Sequence, residues 1–153
     1  PKTVHIDGFN TIITLEVALS GSPVLYCGDG TIRDLAGLRG TYRIIDQTKE
    51  AIMRILQQLD VLKIENACFY LDAPVSNSGR LSSLIMECAD KYNVSVKTQV
   101  INDVDRVLEP SICTVLGSFF SSFCNNSLLL RSVILSMGDT ILAKAKRWRS
   151  ENM

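Results

Sequence analysis

Aspartates recur where the apolar or β-branched runs of this chain end. Asp7 closes Thr3 to Ile6, Asp72 closes Asn66 to Leu71, Asp103 and Asp105 follow Val96 to Ile101, and Asp139 follows Ser132 to Ser136. If each run is a strand of one parallel sheet, the four ends share one edge, where ligands of such sheets gather. Carboxylates crowded there repel one another and raise one another's pKa, a conflict that a divalent cation removes. Mg²⁺ or Mn²⁺, hard ions that take oxygen ligands, suit such a site and can assist hydrolysis of a phosphodiester. Any single aspartate after a strand also suits the cap of the next helix. Its repetition at four ends favours an acidic cluster at Asp7, Asp72, Asp103 or Asp105, and Asp139.

The elements that must carry these residues alternate. Thr3 to Asp7 reads as a strand covered on both faces. Gly8 lets the chain turn, and Asn10 or Thr11 can cap a helix whose Ile12, Ile13, Leu15 and Leu19 share one face, ending near Ser20 and Gly21. Pro23 to Cys27 and Thr31 to Leu35 flank Gly28-Asp29-Gly30 as a hairpin would. The stretch Arg33 to Arg43 is a glycine-containing basic loop. Asp46 can cap a helix from Gln47 to about Leu59, and Asn66 to Asp72 is the next strand. A turn-rich loop and a helix from Arg80 to Tyr92 follow, then a strand over Val96 to Ile101. Glu109 to Arg131 reads as helix plus loop, Ser132 to Ser136 as a last strand, and Thr140 to Arg149 as a closing helix. Strands alternating with helices predict an α/β fold with a mostly parallel sheet.

Composition bounds the function. The chain has 153 residues, 46% of them hydrophobic, enough for one domain (1–153) with its own core. It could equally be excised from a larger protein. Lys and Arg number 16 and so do Asp and Glu, so any nucleic-acid contact must be local rather than a basic surplus. Arg33, Arg39, Arg43 and Arg80 can supply it, with Ser78 and Gly79 offering backbone N–H groups before a helix. The bland alternative is a solvated loop with ordinary surface charges. His5 is the single histidine, which argues against a histidine-rich metal centre; it reads as a satisfied core residue. Five cysteines without a CxxC pattern fit a reducing cytoplasm better than a disulfide framework. Pro110 to Leu130 is uncharged but too polar to span a bilayer, so no membrane association is expected.

Four segments taken together, IDGFN at Ile6 to Asn10, FYLDAPVS at Phe69 to Ser76, NDVDRVLE at Asn102 to Glu109 and VILSMGD at Val133 to Asp139, resemble the PIN-like superfamily. Its NYN ribonucleases, including the YacP-like group, are the most similar branch. Most of the chain also resembles a largely archaeal PIN-like family of unknown function that shares the CGDGTIRDLAGLRGTYR type of segment. The resemblance implies a three-layer, Rossmann-like α/β/α sandwich and a Mg²⁺- or Mn²⁺-dependent ribonuclease site at Asp7, Asp72, Asp105 and Asp139, choosing Asp105 over Asp103. Asn10 would then contact substrate or ligand, the arginines would hold phosphates, and RNA would be the partner. The alternative is a non-catalytic RNA- or protein-binding module of the same fold, favoured by the neutral net charge and by Asp139 lacking a second nearby acid. A phosphatase or nucleotide hydrolase acting through the same carboxylates is a third possibility. Oligomeric state is not legible.

Overall fold

Asn66–Asp72 (β4, counting strands in chain order) is buried without interruption from Ala67 to Leu71, as a strand must be when both its edges and both its faces are covered. The structure, a computed structural model, describes residues 2–27, 32–37, 40–108 and 122–137. Thr3–Asp7 (β1) pairs parallel with β4 in the register Thr3↔Asn66 to Asp7↔Tyr70. Ser95–Ile101 (β5) pairs parallel with its other side, Asp72 facing Ile101. The order β1-β4-β5 makes a mixed α/β fold around a parallel three-stranded sheet. Leu25–Tyr26 (β2) and Ile32–Arg33 (β3) form a separate antiparallel pair, the expected hairpin in shorter form; its glycine turn lies outside the described residues.

Parallel strands need crossovers, and helices supply them. Gly8–Leu19 (α1) and Asp46–Val61 (α2) lie between β1 and β4, and Ser78–Ala89 (α3) lies between β4 and β5. Ile12 and Leu15 of α1, Ile52, Ile55 and Leu56 of α2, and Leu81 and Ile85 of α3 join Ile6, Ala67, Phe69 and Leu71 in one core. Side chains alternate across a strand, so Cys68 and Tyr70 meet the opposite face. There they pack with Val104 and Leu108, Val104 belonging to the short helix Val104–Val107 (α4). Ser82 Oγ and Thr98 Oγ1, 2.7 Å apart, tie α3 to β5. Ser82→Ala is expected to lower the unfolding free energy by about 0.5–1.5 kcal/mol, read from urea denaturation.

Several expectations are corrected. Ser132 to Ser136 is not a strand but the end of the helix Ser122–Ser136 (α5), which packs against β1, α1 and α2. Leu129, Leu130, Val133 and Ile134, all buried, recur at i, i+1, i+4 and i+5, a helical face that the short window Ser-Val-Ile-Leu-Ser cannot reveal. The run that precedes Asp139 is therefore not a fourth strand end. Asp139 and the expected helix Thr140 to Arg149 lie outside the described residues, as does most of the segment Glu109 to Arg131. Asp46 does not cap α2 but opens it; Ile45 is the N-cap, and the Thr48 hydroxyl accepts its N–H at 2.9 Å. Asp46 instead places a negative charge in the first turn, where the helix dipole favours it. The helix expected from Arg80 to Tyr92 begins at Ser78 and ends at Ala89.

A candidate carboxylate site at the strand ends

The strand β1 passes into α1 without a loop. Asp7, not Asn10 or Thr11, is the N-cap, its carboxylate accepting the Asn10 N–H at 3.1 Å on Oδ1. Asn10 Nδ2 donates to Oδ2 at 2.7 Å, so Asn10 engages both oxygens. Gly8 is helical rather than a left-handed turn. Its need is space: a Cβ there would lie 2.5 Å from Leu71 Cδ2 and 3.0 Å from the Tyr70 carbonyl oxygen. The absence of a side chain brings α1, and with it Asp7, against β4.

Capping does not exclude a site role. Asp7 is 8% exposed, and its pKa is raised from 3.8 to about 6. Burial is the largest cause; the Asn10 bonds oppose it, and the charges of Asp72 and Asp105 add to it. Asp7 thus feels Asp72, at the end of the neighbouring strand, and Asp105, on α4. Asp72 is half-buried, its Oδ1 accepting the Val104 N–H at 3.3 Å, which fixes α4 and so Asp105 beside β4. Asp103 acts as a cap instead: with φ of 59° it precedes α4 and accepts the Arg106 N–H at 3.3 Å. Among the described residues, no three His, Cys, Asp or Glu side chains converge closely enough to hold a metal ion.

The basic loop reaches this edge at one point. Ser76, four residues after Asp72, donates its N–H to the Gly40 carbonyl at 3.0 Å, and its hydroxyl accepts the Tyr42 N–H at 2.8 Å. Asn77 Nδ2 donates to the Tyr42 carbonyl at 2.7 Å. Arg43 and Arg80 are exposed on the segments so joined, and Ser78 is buried at the start of α3. Arg33 is exposed on β3, in the separate two-stranded pair, and Arg39 lies outside the described residues. His5, cross-strand from Cys68, has Nδ1 3.0 Å from the Tyr70 hydroxyl, a satisfied role as expected.

Sequence reasoning missed a buried polar cluster beneath the loop. Glu16, 6% exposed, accepts on Oε1 from the hydroxyls of Tyr42 and of Thr48, the latter at 2.6 Å. Burial raises the pKa of Glu16, an effect those two hydrogen bonds oppose. The available signal was a glutamate inside the apolar stretch of α1, next to Leu15.

The fold is thus an α/β domain with a parallel sheet, Asp7 and Asp72 at the carboxyl ends of neighbouring strands and Asp105 on the helix beside them. Residues 1–119 match the model of a domain of unknown function, DUF5616, and the chain belongs to that family. It is 34% identical over 108 residues to the uncharacterized protein MJ0935 of Methanocaldococcus jannaschii, an alignment covering 71% of this chain and 51% of that protein. The chain therefore spans about half the length of the curated relative it matches. No solved structure matches. Among the described residues, no helix is long and apolar enough to cross a membrane.

Proposed function

We propose that this domain is a metal-dependent ribonuclease of PIN-like architecture, cleaving RNA phosphodiesters at the carboxylates of Asp7, Asp72 and Asp105, with Asp139 as the fourth acid. The observation that carries this reading is the placement of Asp7 and Asp72 at the carboxyl ends of neighbouring parallel strands, with Asp105 on the short helix that Asp72 holds beside β4. The donor set suits Mg²⁺ or Mn²⁺: all its members are carboxylate oxygens, and a cation would favour the ionised form of Asp7, which burial first and the charges of Asp72 and Asp105 second disfavour. Such an ion supplies Lewis-acid polarisation of the phosphate and a more acidic attacking water. The chain's own residues hold and orient. Asn10 fixes the Asp7 carboxylate, the Val104 N–H fixes Asp72, and Arg43 and Arg80 supply positive charge for phosphate oxygens on the segments beside them. Arg33, Arg39 and Ser78 are the further candidates for substrate contact. The three-layer sandwich belongs to the same proposal; helices packed on one face of a parallel sheet, with α4 on the other, support it.

One observation favours a second reading, a non-catalytic RNA- or protein-binding module. Asn10 occupies both oxygens of Asp7, and the described carboxylates do not close around an ion. Incubating the chain with structured and unstructured RNAs, with Mn²⁺ and with a chelator, separates the two. The ribonuclease reading expects cleavage that the chelator abolishes; RNA left intact, whether bound or not, refutes it. Mn²⁺ is also expected to stabilise the fold at pH 7.5 by RT ln(1 + [L]/Kd), about 2.7 kcal/mol at a hundredfold excess over Kd, which a thermal-shift series reads as a rising melting temperature.

A further inference from the structure

Tyr42 is buried at 5% exposure in a chain segment that has no regular secondary structure. Its hydroxyl donates to Glu16 Oε1 of α1 and lies 3.2 Å from Thr48 Oγ1 of α2. Its ring packs edge-on against Phe9, centroids 5.1 Å apart at 72°, and Phe9 stands two residues after Asp7. Its N–H and carbonyl are held by Ser76 Oγ and Asn77 Nδ2, four and five residues after Asp72. Tyr42 therefore touches the segments that follow both strand-end aspartates, and its neighbour Arg43 is exposed.

We infer that Tyr42 is a positioning residue: it clamps the 40–43 segment to the carboxyl edge of β1 and β4, so that Arg43 is presented to the phosphates of a single-stranded RNA lying across the carboxylates. The inference rests on the ribonuclease reading and adds to it how a chain with no net charge holds a polyanion. A loop arginine that must first be ordered loses side-chain and backbone entropy on binding; one already anchored through its neighbour's hydroxyl, ring and main chain loses less. A buried hydroxyl on a carboxylate is a directional anchor, which a phenyl ring of the same shape lacks.

The test is a double-mutant cycle on RNA binding and cleavage with Tyr42→Phe, Arg43→Ala and the pair. The probe is a fluorescent unstructured RNA of about twelve nucleotides, a length suited to a single-strand groove. Tyr42→Phe is expected to weaken binding about fivefold and leave the cleavage rate at saturating RNA unchanged, with a shallower salt dependence. Arg43→Ala is expected to weaken binding at least as much and to make its salt dependence shallower, and the pair to bind no worse than Arg43→Ala alone. Unchanged binding in Tyr42→Phe overturns the inference, as does a lower saturating rate at unchanged affinity, or full additivity in the pair. If Tyr42→Phe does not fold, as its circular dichroism would show, Asn77→Ala carries the same cycle, because it removes one bond to the Tyr42 carbonyl and leaves the Glu16 cluster intact. A wild-type chain that binds no RNA refutes the ribonuclease reading and this ligand together. A wild-type chain that binds while the variants behave like it refutes the clamp alone.

Discussion

Asp7→Asn is expected to abolish Mn²⁺-dependent RNA cleavage, by at least about a hundredfold, and at the same time to make the metal-free protein more stable at pH 7.5. The two effects have one cause. Asp7 is buried beside Asp72 and Asp105, and its pKa rises from 3.8 to about 6. A raised folded-state pKa means that the fold prefers the protonated acid. The stability contributed by that preference is fully present below pH 3.8 and is lost as pH rises through about 6. Two pH units correspond to about 3 kcal/mol, so the ionised carboxylate costs the fold up to that much above pH 6. Asparagine is a good N-cap and keeps an oxygen for the Asn10 N–H but gives up the bond that Oδ2 accepts from Asn10 Nδ2, so the gain is expected at about 1–2 kcal/mol, or a few degrees in melting temperature. Melting curves of both proteins between pH 4 and 8 measure it. The wild type should lose stability relative to the variant as pH rises through 6, and Mn²⁺ should restore it in the wild type alone. Parallel curves would show that Asp7 carries no strain.

Gly8→Ala sets two opposed effects against each other. Helix propensity alone favours alanine over glycine inside a helix by about 1 kcal/mol. Packing opposes it: the new methyl would stand 2.5 Å from Leu71 Cδ2 and 3.0 Å from the Tyr70 carbonyl oxygen. Leu71 is fully buried, and that carbonyl belongs to the central strand, so neither gives way cheaply. Overpacking of this kind costs about 1–3 kcal/mol and occasionally more. Packing is expected to win, with a net loss of about 2 kcal/mol and a fall in melting temperature of about 4–8 °C. The start of α1 would move off β4 and carry Asp7 away from Asp72, so Mn²⁺ affinity should fall as well. Leu71→Ala added to Gly8→Ala should recover little, because the carbonyl contact remains.

What is legible in the sequence and what is concealed differ in the range of the interactions involved. β1 and β4 are legible because each is an apolar run closed by turn residues, β5 because the β-branched Val96, Thr98 and Val100 alternate along it, and α1 to α3 because their apolar positions recur at helical spacing. The end of α5 reads as a strand because Val133, Ile134 and Leu135 form an apolar, partly β-branched run when taken alone; its period emerges only when Leu129 and Leu130 are included. Caps fall at Asp7 and Ile45 rather than at Asn10, Thr11 or Asp46 because the place where the backbone turns decides them, and residue preference alone does not locate that place. The choice of Asp105 over Asp103 comes from the resemblance alone, and the left-handed backbone of Asp103 gives that residue a capping role instead. The Glu16, Tyr42 and Thr48 cluster is invisible because its members are 6 to 32 residues apart and no local pattern joins them.

Manganese binding tests the central claim most directly. Free Mn²⁺ followed by electron paramagnetic resonance during titration with the wild-type chain at pH 7.5 should show one saturable site at or below millimolar concentration. The site should weaken as pH falls below about 6, where Asp7 becomes protonated, and should be absent in Asp7→Asn. A wild-type chain that takes up no Mn²⁺ at millimolar concentration while folded, or an Asp7→Asn variant that binds it equally well, would contradict the assignment of Asp7 as the first ligand of an acidic metal site.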